Sequence, residues 1–398
     1  MRIRKLHIST DDQWRRELNF IGADPVTWDR LSRKCRVTVF STGLMSATAA
    51  NILKQCMLSG GADAIVSRKT VSCRTSETRA LIVGTTKQIM RGCESLIGQP
   101  FELPELAHEL GAALEGSPCL SEKILTRGKV LDFSGRPLIM GILNVTSDSF
   151  SDGGNYLDTE VAVEHARLMT SQGADIIDIG AESTRPGSQP VPSAVQLERL
   201  LPIVKRLSSD CRAVISVDTS SAEVADTVLS AGAEMINDVT AMSDPAMAKI
   251  VANADVPVVL MHMRGQPETM QDNPEYTDVV EEVYTFLQKR ITAAVESGIS
   301  GKHIIVDPGI GFGKKLEDNI QLISRLAEFK WLGCRVLLGH SRKSFLGMLT
   351  GIERPSLLDA GTHAVTALSS YCADIMRVHD VEGTLQILKV SMEFGQRI

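Results

Sequence analysis

From residue 138 onward the chain alternates short apolar runs with longer segments whose apolar residues recur at helical spacing. The runs are Leu138–Asn144, Asp175–Ile179, Ala213–Asp218, Met235–Asp238, Pro257–Met261, Ile304–Asp307, Arg335–Leu338 and Ile375–Val378. Each is short and largely apolar on both faces, as a strand covered on both sides of a parallel sheet must be. Between them Thr159–Gln172, Ala194–Ser208, Ala222–Ala231, Pro245–Ala254, Asp278–Ser297, Asp318–Ala327, Leu357–Tyr371 and Val381–Phe394 read as helices. The segments SQGAD, SAGAE, VANAD and ESGIS each close a helix in small residues and feed the next strand, as short αβ loops do. Eight strand–helix units in roughly 250 residues match a (β/α)8 barrel, whereas an open doubly wound sheet more often stops at five or six strands.

Upstream the pattern changes. RVTVF reads as a strand, ATAANILKQCMLSG as a helix closed by glycine, ADAIVSRKTVSC and RALIVG as further strands, and TTKQIMRGCESLI as a second helix. The stretch from Gln99 to Arg136 reads as loop, with Pro100, Pro104 and a Gly116-Ser117-Pro118 break. The expected architecture is therefore α/β: a TIM barrel over residues 119–398, preceded by a smaller α+β domain of unassigned role over residues 1–118.

Composition narrows the partners. With 398 residues, 43% hydrophobic and 23% charged, the chain has material for two cores. A formal charge of -6 gives no basic field for a phosphate backbone, so no nucleic-acid partner is expected and any anionic ligand must be gripped locally. No apolar run approaches membrane-spanning length, and the N-terminus MRIRKLHISTDDQWRREL has no apolar signal core, so the expectation is a cytoplasmic protein with no membrane partner. The eight cysteines show no CxxC pair, which points away from zinc and from a disulfide framework.

The chemistry gathers where the apolar runs stop. Asn144, Asp218, Asn237 and Asp307 end four runs, Lys343 follows VLLGHSR, and Arg377 and His379 close the last. Barrel closure brings strand ends to one cavity mouth, where active sites of this fold lie. Any one Asp or Asn could cap the next helix, and a ring of structural salt bridges uses the same residue types. Carboxylates and a carboxamide facing cations also suit a ligand with a ring rich in N–H donors at one end and an anionic group at the other. The loops NVTSDSFSDGG and AESTRPGSQPVP lie on the same face. DPGIGFGKK matches neither GxGxxG nor GxxxxGK[ST], so its glycines read as room for backbone near the rim. Met261 and Met263 read as core or cavity wall, and His262, alternating away from them, as structural.

At these residues a resemblance becomes specific. LIMGILNVTSDSFSDGG, DIIDIGAESTRPG, ISVDTS, INDVTA, LMHMRGQPETMQ, DPGIGFGK, SRKSFLG and RVHDV, in this order over Pro137 to Ile398, resemble the dihydropteroate synthases. ANILKQCMLSGGADAIVSRKTVSC, LIVGTTKQI and PFEL resemble an N-terminal extension of some bacterial members. The resemblance implies condensation of 6-hydroxymethyl-7,8-dihydropterin diphosphate with p-aminobenzoate, with release of pyrophosphate, in a homodimer. It implies that Asp218, Asn237, Asp307 and Lys343 bind the pterin ring and that Asn144 holds Mg2+. Arg377, His379, Thr184 and Arg185 would meet the phosphates, Phe150 and Pro186 would wall the p-aminobenzoate site, and Ser341 would meet its carboxylate. A pterin-dependent methyltransferase domain would need neither SRKS, RVHDV nor the STRP loop. A non-catalytic pterin-binding paralogue would not need Asn144, Arg185, Lys343 and Arg377 intact. Three positions depart from the family's usual residues: Ala181, His340 and Cys372, of which His340 is expected nearest the chemistry.

Overall fold

The computed structural model describes residues 3, 6, 8, 11–28, 31, 34, 37–72, 74–115, 120–145, 155–182, 188–265, 269–270 and 273–395. The chain divides into two compact units, Met1–Cys119 with Arg397–Ile398, and Leu120–Gln396. The second is a closed barrel of eight parallel strands: β1 (Leu138–Asn144), β2 (Ile176–Gly180), β3 (Val214–Asp218), β4 (Met235–Asp238), β5 (Val258–Met261), β6 (Ile304–Asp307), β7 (Arg335–Leu338) and β8 (Ile375–Val378). Strand β8 pairs back onto β1, Ile375 opposite Leu138 and Val378 opposite Gly141, so no edge is left open. This is the (β/α)8 fold that the spacing of apolar runs predicts.

Alternation along each strand sorts the side chains into two layers. Ile139, Leu143, Ile177, Ile179, Ile215, Val217, Ile236, Val258 and Val306 point outward and pack under the helices. Met140, Ile176, Val214, Met235, Val259, Ile305, Leu337 and Ile375 point inward and fill the barrel's lower half. Further up most of the strands, the inward positions turn polar. Asn144, Asp178, Ser216, Asp218, Asn237, Asp307 and Arg377 occupy them. Register makes Asn144, Asp218 and Asn237 level, since Asp218 lies opposite both Gly180 and Asn237, and Asn144 also lies opposite Gly180.

The barrel's lower end is closed by a hairpin, Lys123–Leu125 paired with Val130–Asp132, within the stretch expected to be loop. Its Ile124 and Leu131 are 3% and 1% exposed and join the inward cluster. Polar ties fix the plug at its rim. Lys129 Nζ donates to Ala213 O at 2.7 Å and pairs with Glu234 at 2.6 Å, and Arg127 Nη1 donates to Leu229 O at 2.7 Å.

The first unit is an antiparallel sheet in the order Val37–Ser41, Ala80–Thr85, Asp63–Val66, with helices Ala47–Gly60, Thr86–Leu96 and Leu103–Glu115. Its core is Leu53, Met57, Ile82, Ile89, Leu96 and Leu103. Two glycines let its helices touch, because a Cβ on Gly60 would sit 2.5 Å from Gly92 N, and one on Gly92 would sit 2.6 Å from Met57 Sδ. Two expectations are corrected here. Helix Leu103–Glu115 replaces expected loop, since Pro104 sits in its first turn, where a missing N–H costs nothing. The strand read over ADAIVSRKTVSC stops at Val66, where Ser67 accepts from Lys69 N at 3.3 Å and starts the helical turn Arg68–Val71. Among the described residues no helix is long and apolar enough to cross a membrane.

The plug gives a stability prediction. Leu131→Ala removes a fully buried side chain from beneath the barrel and is expected to cost about 2–4 kcal/mol, read as a lowered urea midpoint with an unchanged slope.

Candidate active site

The polar layer is organised by a carboxylate that the sequence reading passed over. Asp178, inward on β2 and 0% exposed, accepts from Ser216 Oγ at 2.6 Å through Oδ1. Its Oδ2 accepts from Asn237 Nδ2 at 2.9 Å and from Arg377 Nε at 2.7 Å. Its one signal in the sequence is an acid inside the otherwise apolar IIDIG. Arg377 then reaches across with Nη2 to Asp218 Oδ2 at 2.8 Å. One guanidinium thus serves two buried acids, leaving Asp218 Oδ1 for another donor. Burial pushes Asp218 up to about 7, opposed by Arg377 and assisted by Asp178, Asp238 and Glu182.

Asp307 ends β6 and is 5% exposed. Its Oδ1 accepts from Gly309 N at 2.7 Å, and burial raises its pKa against the pull of Lys343. Gly309 has φ 70°, and a Cβ there would meet His262 O at 1.9 Å, so only glycine lets the loop turn back under the acid. Lys343 arrives as the N-cap of the helix Ser344–Thr350, not at a strand end. Its Nζ donates to Ile310 O and lies 4.3 Å from the Phe312 ring centroid. Burial draws Lys343 down to about 7, with Asp307 opposing. Asp218 and Lys343, both brought to about 7 by burial, give the site an acid and an amine able to take up or give a proton.

His379 lies two residues beyond Arg377, and its Nδ1 lies 3.0 Å from Ser341 Oγ, so these two expected site residues are neighbours. Asn144 is exposed at the mouth. Among the described residues no group of three or more His, Cys, Asp or Glu is placed to hold a metal ion. Val239, Met261, Met270 and Phe312 form a small apolar cluster with Met263 against it, which makes a wall of the two methionines. Thr184, Arg185, Pro186 and Phe150 lie outside the described residues.

Several neighbours hold the site without facing it. Asp238, adjacent to Asn237, points the other way and accepts from Thr240 N at 2.8 Å, Thr240 Oγ1 at 2.7 Å and Met242 N at 2.7 Å, fixing a loop in which Ala241 and Met242 have φ 51° and 62°. Lys314, 3% exposed, bonds His262 Nδ1 at 2.9 Å and two backbone carbonyls. Burial draws Lys314 down to about 7, and burial with Lys314 beside it takes His262 to about 2, so His262 is neutral and structural. His340 is a correction. By alternation it turns away from the cavity, is 0% exposed, and places Nε2 3.1 Å from Thr362 O and 2.9 Å from Thr366 Oγ1 of the helix Asp359–Ser369. Ala181 is likewise buried outside the cavity, and Cys372 packs against the helix layer.

Comparison with known proteins agrees with this geometry. The family model of pterin binding enzymes matches residues 140–379. The dihydropteroate synthase of Escherichia coli is 42% identical over 67% of this chain and 95% of its own, and that of Bacillus subtilis 42% over 68% and 93%. A probable bifunctional folylpolyglutamate synthase/dihydropteroate synthase of Halobacterium salinarum is 41% identical over 86% of this chain and 41% of its own, a match that runs past the barrel into the N-terminal unit. Among solved structures, Xanthomonas albilineans dihydropteroate synthase with 4-aminobenzoic acid aligns with TM-score 0.65 and 44% identity over 70% of this chain and 99% of that one. The same enzyme in complex with 7,8-dihydropteroate aligns with TM-score 0.62 and 39% identity over 70% and 100%.

The raised Asp218 acid predicts a pH effect. The unfolded chain releases this proton near the ordinary 3.8, the folded protein only at about 7. The native state therefore binds more protons between these values, and the contribution to stability is full below about pH 4 and lost as pH rises through 7. Urea unfolding of Asp218→Asn from pH 4 to 8 is expected to fall less with pH than that of the parent protein. Parallel curves would show that Asp218 ionises at its ordinary value.

Proposed function

The chain belongs to the pterin binding enzymes and, among them, to the dihydropteroate synthases; from that membership we propose that it condenses 6-hydroxymethyl-7,8-dihydropterin diphosphate with p-aminobenzoate, giving 7,8-dihydropteroate and pyrophosphate for folate synthesis. The observation that carries the reading is the set of Asp218, Asn237 and Asp307 at the C-terminal ends of their strands, with Lys343 beside an apolar wall, and with Arg377, His379 and Ser341. Acceptors on one side suit the N–H edge of a flat heterocycle, cations on the other suit its diphosphate, and Met261 with Phe312 suits its faces.

In this reading Asp218, Asn237, Asp307 and Lys343 hold the pterin ring. Arg377 and His379, with Thr184 and Arg185, hold phosphate oxygens, Phe150 and Pro186 flank p-aminobenzoate, and Ser341 receives its carboxylate. Asn144 offers one exposed neutral oxygen at the mouth. That fits Mg2+, a hard cation that keeps several waters and takes its remaining ligands from substrate phosphates. When bound, magnesium offsets charge on the departing diphosphate. The C–O bond of the pterin methylene breaks, the arylamine nitrogen bonds to that carbon, and the nitrogen gives up one proton. Lys343 and Asp218, titrating near 7, keep a proton exchangeable beside the ring. A cytoplasmic homodimer without membrane or nucleic-acid partners completes the proposal, in line with the net charge of -6. The barrel unit carries the chemistry, because every site residue lies after residue 137; a chain beginning at Leu120 keeps the plug and the site.

The test is formation of dihydropteroate and pyrophosphate from the two substrates. Asp218→Ala, if folded, is expected to lose about 1.5–3 kcal/mol of pterin affinity in calorimetry. Unchanged affinity removes Asp218 from the ring site. Arg185→Ala is expected to spare binding of 6-hydroxymethyl-7,8-dihydropterin, which lacks the diphosphate, and to raise KM for p-aminobenzoate; equal losses for that pterin and for p-aminobenzoate place Arg185 in the ring pocket instead.

A further inference from the structure

Asp178 touches no position available to a substrate, yet it binds both groups that would read the substrate's two ends. Its Oδ1 is taken by Ser216 Oγ at 2.6 Å. Its Oδ2 is shared by Asn237 Nδ2 at 2.9 Å and Arg377 Nε at 2.7 Å. The ion pair with Arg377 makes Asp178 an acceptor only, and this has a consequence for Asn237. A carboxamide is nearly symmetric in shape and turns either end toward a neutral neighbour. Against a carboxylate it has one choice, the NH2 group inward, which leaves Oδ1 as the side chain's remaining acceptor. A buried carboxamide with its orientation set in this way discriminates between donor and acceptor edges of a ligand.

We propose that Asp178 is a positioning and specificity-determining residue, which locks the carboxamide of Asn237 with its oxygen toward the pterin and its NH2 toward Asp178, while tethering Arg377 by Nε so that, with Nη2 on Asp218, Nη1 is the guanidinium nitrogen left for the diphosphate. The proposal rests on the pterin reading of the site for its ligand, but its structural part does not. Ser216 is the third member of the device, because its hydroxyl fixes the carboxylate plane through Oδ1.

The experiment uses the full chain. In a proton–nitrogen correlation spectrum, the Asn237 side-chain NH2, assigned by its disappearance in Asn237→Ala, is expected to exchange slowly with water and to move on Asp178→Asn. An NH2 signal indifferent to Asp178 overturns the lock without any ligand. Calorimetry with 6-hydroxymethyl-7,8-dihydropterin, which lacks the diphosphate, then reads the ring alone. Asp178→Asn is expected to weaken it by roughly tenfold or more, as loss of a charge-assisted hydrogen bond does, and Ser216→Ala to weaken it less but in the same direction. In an Asn237→Ala background Asp178→Asn is expected to change affinity less than about twofold, since coupled residues are not additive. An equal loss in both backgrounds makes Asp178 a general support of the barrel and sinks the proposal. If Asp178→Asn does not fold, Ser216→Ala carries the test, and an unmoved NH2 signal and unchanged affinity there also overturn it. A parent protein that binds no pterin, with the NH2 signal behaving as expected, overturns the pterin reading and leaves the lock standing.

Discussion

In the upper half of the barrel the Arg377 guanidinium lies between two buried acids, 2.7 Å from Asp178 and 2.8 Å from Asp218. Charges taken out of water are costly unless paired, and one cation cannot fully compensate two anions. The two acids are not treated alike. Asp178 draws on a hydroxyl, an amide and the guanidinium, whereas Asp218, among the described residues, has the guanidinium, and burial raises it to about 7. The excess of acceptors left over is what makes the cavity ready for a ligand that brings donors. A fully satisfied network would bind nothing, and a network without Arg377 would leave two buried acids unpaired.

The alternation of strands keeps this frustrated layer from spreading. Asn237 and Asp238 are adjacent in sequence and both almost wholly buried, yet one faces the cavity and the other pins a loop beneath the helices. His340 and Ser341 divide in the same way, one bonded to Thr362 and Thr366, the other to His379. Stability and chemistry are thus assigned to opposite faces of the same few residues.

Much of this was legible in the sequence, because eight apolar strands with polar ends leave a period that few other folds produce. Asp218, Asn237, Asp307, Arg377 and His379 announced themselves by ending such runs. What escaped has physical causes. Asp178 sits two residues before its strand ends, where the run still reads as core. His340 stands beside Ser341, and its direction depends on which face β7 turns inward, which sequence adjacency does not tell. The plug strands Lys123–Leu125 and Val130–Asp132 offer one buried residue each, too few to show a period. Helix Leu103–Glu115 was hidden by a proline that its first turn tolerates. Phe150, Thr184, Arg185 and Pro186 lie outside the described residues and rest on motif alone.

Closure of the lower end by Ile124 and Leu131 has a consequence for traffic. With apolar side chains filling the barrel below the polar layer, that layer is reached, among the described residues, from the C-terminal ends of the strands, like the floor of a well. In a well, occupants stack. On the proposed reading, a molecule seated beside Asp218 and Asp307 would leave after whatever lies above it, and one meant for the rim would block the floor when it settles first. Order of entry and exit is then a property of depth, imposed by a two-stranded stopper on the opposite side of the protein from the chemistry.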